Sequence, residues 1–201
     1  MQAPAFFDTV PPVVMHDPLA ETLGAAEDGV VEYRYTDAVR LAGHSCPTVA
    51  GAWLMTARAL RRLYGDERPR RGSIRVEVRE QQDEGVAGVI GSVAGFVTGA
   101  AGDGGFKGLA GRHSRRNLIS YGAAIEGDLR FTRTDTGASV EVACHSGIVE
   151  RPSDLRTLMQ AALEPSADDE ARRAFARAWQ EWVRRILVEH ADDPALVTMT
   201  G

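Results

Sequence analysis

The residues best suited to chemistry are His44-Ser45-Cys46 and Cys144-His145, which together use both cysteines of the chain and set a histidine within two positions of each. Thiolate and imidazole are borderline-soft donors that suit zinc, or iron among the redox metals, better than magnesium or calcium. Pro47 follows Cys46 and fits the first position of a helix, where its missing N–H is no loss. The partial positive charge of that helix start favours a thiolate at Cys46. Three chemistries are open to the pair: metal ligation, simple packing of buried thiols, and nucleophilic catalysis by Cys46 activated by His44. If Val140 and Val142 face the core, strand parity turns Cys144 inward with them and His145 outward.

Weaker candidates surround this pair. Asp83, with Glu84, reads as the cap of a following helix or as a general base beside a metal-bound water. Lys107 is the single lysine, in a glycine-dense run from Gly99 to Gly111. With Arg112, His113, Arg115 and Arg116 that run could cradle an anion, although it lacks the G-K-[ST] of a phosphate loop. His16 and Asp17 read as turn residues and His190 as a solvated helix-end histidine. Phe175, Trp179 and Trp182 form an aromatic stripe suited to a core or a subunit interface.

The elements that must position these groups follow from periodicity. Residues 1–30 are Pro-rich, then small and acidic, and read as an N-terminal arm with a short helix near Leu19 to Ala25. Val49, Trp53, Leu60 and Leu63 recur at helical spacing over Pro47 to Tyr64, with Arg58, Arg61 and Arg62 on another face. Ser73 to Arg79 alternates as a half-buried strand, and Gly85 to Ala101 reads as a helix whose glycines permit close contact with a neighbour. Leu129 to Val142 reads as a β-hairpin turned at Asp135-Thr136-Gly137. Asp168 to Glu189 is a long amphipathic helix with cap candidates at Ser166 to Asp169. The turn Glu164-Pro165-Ser166 separates a core of residues 31–163 from a tail of residues 164–201.

The chain has 201 residues, a formal net charge of -5, 44% hydrophobic and 25% charged residues. Those values suit a soluble globular chain and weigh against nucleic-acid binding, which needs a basic footprint. No apolar run approaches the roughly 18 residues of a membrane span, and the N-terminus lacks the features of a signal peptide, so a cytoplasmic protein is expected.

The run Gly43-His44-Ser45-Cys46-Pro47-Thr48-Val49-Ala50-Gly51 resembles the G-H-x-C-P-x-x-A-x-G signature of the FmdE family of formylmethanofuran dehydrogenase subunits. Asp17-Pro18-Leu19-Ala20, Arg71-Gly72, Thr98-Gly99 and Phe106-Lys107-Gly108 are similar as well, so the resemblance spans most of residues 15 to 150. It implies an α+β domain with a mixed or antiparallel sheet packed against helices, similar to the catalytic domain of glyceraldehyde-3-phosphate dehydrogenase. It also implies a metal near the His-x-Cys turn and a homodimer. Two further cysteines of many members read here as Ala100 and about Gly85, and no C-terminal zinc ribbon follows Cys144. Cys144, His145 or His113 must then complete the ligand set.

The expectation is a metal-binding α+β protein with a long C-terminal helix, holding zinc, or iron, through His44, Cys46 and most simply Cys144. An open position would allow Lewis-acid or redox chemistry on a small molecule. A haem iron is a variant, though no C-x-x-C-H motif is present. The alternative is a non-catalytic accessory or metal-delivery module that docks through the Trp179 and Trp182 face.

Overall fold

The computed structural model describes residues 3–201. Residues 1–30, expected as an arm, instead bury Phe7, Val10, Val13 and Met15 in the core. Val13–His16 (β1) pairs antiparallel with Val30–Tyr33 (β2), His16 lying opposite Val30. The alternation of Val13 and Met15 is a strand signal that the flanking prolines mask. Between the two strands Pro18–Thr22 (α1) starts on Asp17, whose carboxylate accepts from the Leu19 and Ala20 N–H groups. The helix is shorter than expected and gives way to Gly24, in the left-handed region at φ 66°.

Tyr35–Ala42 (α2), not apparent in the sequence, ends on Gly43 at φ 77°. Pro47–Tyr64 (α3) has the expected bounds and buries Val49, Trp53 and Leu60. Arg58 departs from its expected wet face: it is buried, and its guanidinium donates to the Asp193 carbonyl at 2.8 Å. Ile74–Val78 (β3) buries its alternate residues Ile74, Val76 and Val78. Ala87–Thr98 (α4) is trimmed at both ends relative to expectation. It uses its glycines for close approach, Gly91 against the Tyr121 ring and Gly95 against the Ala100 carbonyl. The glycine-dense stretch after it is irregular, as expected, until Ile119–Ser120 (β4) pairs parallel with β3.

Leu129–Arg133 (β5) and Ser139–Cys144 (β6) form the expected hairpin, with Phe131 opposite Val140 and Leu129 opposite Val142. Leu155–Leu163 (α5) was not expected. Asp169–Arg184 (α6) is capped by Asp168, whose carboxylate accepts from the Ala171 N–H at 2.8 Å, and continues through a π-helical turn to Glu189. Its Trp182 and Val183, with Ile186 and Leu187 beyond, pack into the core of the same chain. Val197–Thr200 (β7), too short to show a period, adds antiparallel to β6.

The main sheet therefore runs β4-β3-β5-β6-β7, parallel at β3/β4 and antiparallel elsewhere, beside the two-stranded β1-β2. With the helices and the long α6 this is a mixed α+β fold. α3 packs on the sheet over β5 and β6. Leu129 and Phe131 in the sheet and Trp53 and Leu60 on α3 are fully buried, each worth about 1.5–3 kcal/mol of transfer free energy. Among the described residues no helix is long and apolar enough to cross a membrane.

Candidate functional site

The start of α3 is built around Cys46. Its backbone is extended (φ -150°, ψ 169°), and its Sγ accepts from the Val49 N–H at 3.4 Å, with Pro47 in the first helical turn. Serine, threonine, aspartate or asparagine normally fills this capping role, and a sulfur makes a weaker cap. Gly43 closes α2 just before it, and the two helices are joined by the turn that carries His44 and Ser45.

Ser45 is the anchor of that turn. Its carbonyl accepts from Trp179 Nε1–H at 2.9 Å and from Gln180 Nε2–H at 3.2 Å, both on α6. Its hydroxyl donates to Gln180 Oε1 at 3.0 Å, so the Tyr35 hydroxyl, 2.9 Å away, must be the donor to Ser45 Oγ. Burial pushes the Tyr35 phenol well above its ordinary pKa, which keeps it protonated for that role. Sequence patterning misses this clamp because it joins residues from opposite ends of the chain.

His44 is exposed, and its Nδ1 lies 3.0 Å from the Ala42 carbonyl. A carbonyl only accepts, so Nδ1 is the donor of this bond, and in a neutral ring Nε2 is the acceptor. Metal-ligating histidines are held in this way, with the distal ring N–H bonded to a carbonyl or carboxylate. His44 and Cys46 stand two positions apart in one turn, His44 exposed and Cys46 buried at the helix start. Among the described residues no three His, Cys, Asp or Glu side chains are grouped to hold an ion, so no third ligand to this pair is brought together.

Cys144 faces inward with Val140 and Val142, as parity requires, and its Sγ lies against Gly51. A Cβ at Gly51 would sit 2.7 Å from that sulfur. Burial first, and then the neighbouring Asp128 carboxylate, push the Cys144 thiol up to about 11. It is protonated at neutral pH and is a poor nucleophile there. Asp128 has both oxygens engaged, Oδ1 by Arg79 Nη2 and Oδ2 by the Cys144 N–H, each at 2.9 Å.

These groups border a cavity of about 170 Å³ at the start of α3, lined by Thr48, Gly51, Met55, Glu80, Asp128 and Cys144 among others. Its lining mixes apolar side chains such as Met55 and Ile90 with polar ones such as Thr48, Glu80 and Asp128. Neither His44 nor Cys46 lines it. His145 points the other way, exposed and 3.2 Å from the Thr198 hydroxyl. His113 lies in the left-handed region (φ 60°), with Nε2 3.4 Å from the Thr22 hydroxyl.

The weaker candidates lie elsewhere. Asp83 is exposed in the turn before α4, and because α4 begins at Ala87 it does not cap that helix; Glu80 and Asp128 are the carboxylates that border the cavity. Lys107 is exposed on the glycine-dense loop. Trp182 is buried with Arg151 over its ring, and Trp179 stacks edge-on against it at 5.7 Å while bonding to Ser45. The aromatic stripe therefore serves the core of its own chain. His190 pairs with Asp193 at 3.0 Å at the end of the last helical turn, and His16 with Glu21 at 3.0 Å. No protein-family model matches the chain, and no curated protein matches it.

Proposed function

We propose that the chain is a transition-metal-binding protein related to the FmdE family, with His44 Nε2 and Cys46 Sγ as its own two ligands and zinc as the ion they suit best. The observation that supports this reading most is the His44 Nδ1–H to Ala42 carbonyl bond, which turns Nε2, the acceptor of a neutral ring, away from the backbone and free to meet an ion. The Cys46 sulfur already accepts a backbone N–H, an arrangement that suits a thiolate. Ser45, clamped between them by Trp179 and Gln180, limits how far the turn can move when an ion enters. Cys144, packed on Gly51 and protonated at neutral pH, is left out of the ligand set.

Two protein donors leave the remaining positions to water or to a small-molecule ligand. An ion held with open positions supplies Lewis acidity to whatever ligand it polarises. The chain's own part is to fix the two donors.

Equilibrium dialysis against zinc chloride, with elemental analysis of the protein, tests the reading. One ion per chain is expected, and His44→Ala and Cys46→Ser should each weaken binding by at least about tenfold while Cys144→Ala leaves it unchanged. A wild-type chain that takes up no zinc, cobalt(II) or iron(II) overturns it. One ion per two chains overturns the open site in favour of an ion shared between copies.

A further inference from the structure

A second, independent site lies where four segments distant in sequence meet around Arg115. This arginine is buried, with 6% of its surface exposed. Its Nη2 donates to Asp17 Oδ1, but its Nε and Nη1 have no hydrogen-bond partner. Arg71 completes the cluster by donating from Nη1 to Asp17 Oδ2 at 2.9 Å, with Nη2 on the Phe96 carbonyl and Nε on the Val97 carbonyl. Two guanidinium groups thus share one carboxylate, which itself accepts two backbone N–H groups from α1. The cluster carries one uncompensated positive charge, and a buried charge without a partner is costly.

Gly72 and Gly99, both in the left-handed region, leave the space that the guanidinium occupies; a Cβ at Gly99 would lie 2.8 Å from Arg115 Nη1, and one at Gly72 would collide with it. Gly99, Arg71 and Arg115 also line an open groove of about 470 Å³. No carboxylate lines that groove. Its other walls include Leu41 and Phe106, which are 47% and 46% exposed, with Phe96 and Tyr121. Isolated exposed apolar residues are ordinary, but here two of them line the same groove as Arg115, whose cationic N–H groups are the ones left buried and unpaired among the described residues.

We infer that this groove binds a small organic monocarboxylate, its anionic group paired with the Arg115 guanidinium and its apolar body laid between Phe106, Leu41 and Tyr121. A guanidinium N–H without a partner is a strong donor to a carboxylate oxygen, by charge as well as by hydrogen bond. A single negative charge also balances the cluster.

Benzoate serves as the probe, with inorganic phosphate and benzyl alcohol as controls, using the full chain without added metal. Calorimetric titration should show saturable benzoate binding, and the Arg115 Nε–H resonance in ¹⁵N NMR should shift with the same saturation. Arg115→Lys should weaken binding at least about tenfold, because a lysine ammonium cannot reach Asp17 and the ligand at once as the planar guanidinium does. Phe106→Ala alters only an exposed loop side chain, so the fold is kept, and should weaken benzoate binding by about threefold or more through lost apolar contact. Absence of saturable benzoate binding overturns the proposal. So does equal binding of benzyl alcohol, which would make the charge irrelevant, or equal binding of phosphate with no loss in Phe106→Ala, which would make the apolar wall irrelevant.

Discussion

The indole Nε1–H of Trp179 donates to the Ser45 carbonyl at 2.9 Å, tying the middle of α6 to the turn between His44 and Cys46. The tail helix therefore fixes the backbone from which both candidate donors project. Trp179→Phe keeps an aromatic ring but loses the N–H and part of the indole's volume, so it should cost at least about 1 kcal/mol in chemical denaturation. It should also weaken zinc binding, since the turn becomes freer before the ion arrives. Unchanged stability and unchanged zinc affinity would show that Gln180 alone holds Ser45.

Gly51→Ala tests the packing of α3 on β6. Alanine normally gains about 1 kcal/mol over glycine inside a helix. Here the new methyl meets Cys144 Sγ at 2.7 Å, and overpacking of this kind costs about 1–3 kcal/mol. Net destabilisation is expected for the single variant. Combined with Cys144→Ala, which removes the sulfur, the same change should become neutral or stabilising, a coupling that a double-mutant cycle reads directly.

The raised pKa of Cys144 makes a prediction of its own. A thiol that titrates near 11 in the fold and at about 8.5 when unfolded favours the folded state fully below the lower value. That contribution is lost as pH climbs from the unfolded value through the folded one. Denaturation of the wild type should therefore show a decline between about pH 8.5 and 11 that is reduced in Cys144→Ala. At neutral pH, iodoacetamide should label Cys144 far more slowly in the folded than in the unfolded chain. Equal labelling rates would contradict the burial described.

Asp17 shows the opposite sign. Burial opposes its ionisation, yet the Arg71 hydrogen bond, the Ala20 N–H and the charges of Arg115 and Arg71 outweigh that, and its carboxyl titrates below the ordinary range. Its contribution is present above the unfolded value of about 3.9 and disappears as pH falls through the folded value. Asp17→Asn leaves the buried Arg115 and the half-buried Arg71 without their counter-ion and should destabilise the fold by about 3 kcal/mol at neutral pH, with the difference shrinking in acid. A neutral effect at pH 7 would mean that the cluster is not held by charge.

How far the sequence discloses all this depends on the range of the interaction. α3, α6 and the β5-β6 hairpin are legible because their periods are long and their caps and turns local: Pro47, Asp168 and Asp135-Thr136-Gly137. β1 is hidden by Pro11, Pro12 and Pro18, and β7 is only four residues long, so pairing with β6 rather than pattern decides it. The same holds for the sites. That Cys46 begins a helix and that Cys144 points inward follow from neighbours in sequence. The clamp on Ser45, the Asp128 contact with Cys144 and the Asp17–Arg115 pair each join remote segments, and no local period signals them. Asp17, read as an ordinary turn residue, is at once a helix cap and the only carboxylate to which Arg71 and Arg115 donate among the described residues.

Because Trp179 and Gln180 come late in the chain, a polypeptide still emerging from the ribosome has a His-Ser-Cys turn with nothing to grip it. Ordering of that turn is thereby deferred until residue 180 has been made, and ribosome-bound chains halted before residue 179 should show a more mobile backbone at Ser45 than the longer chain does.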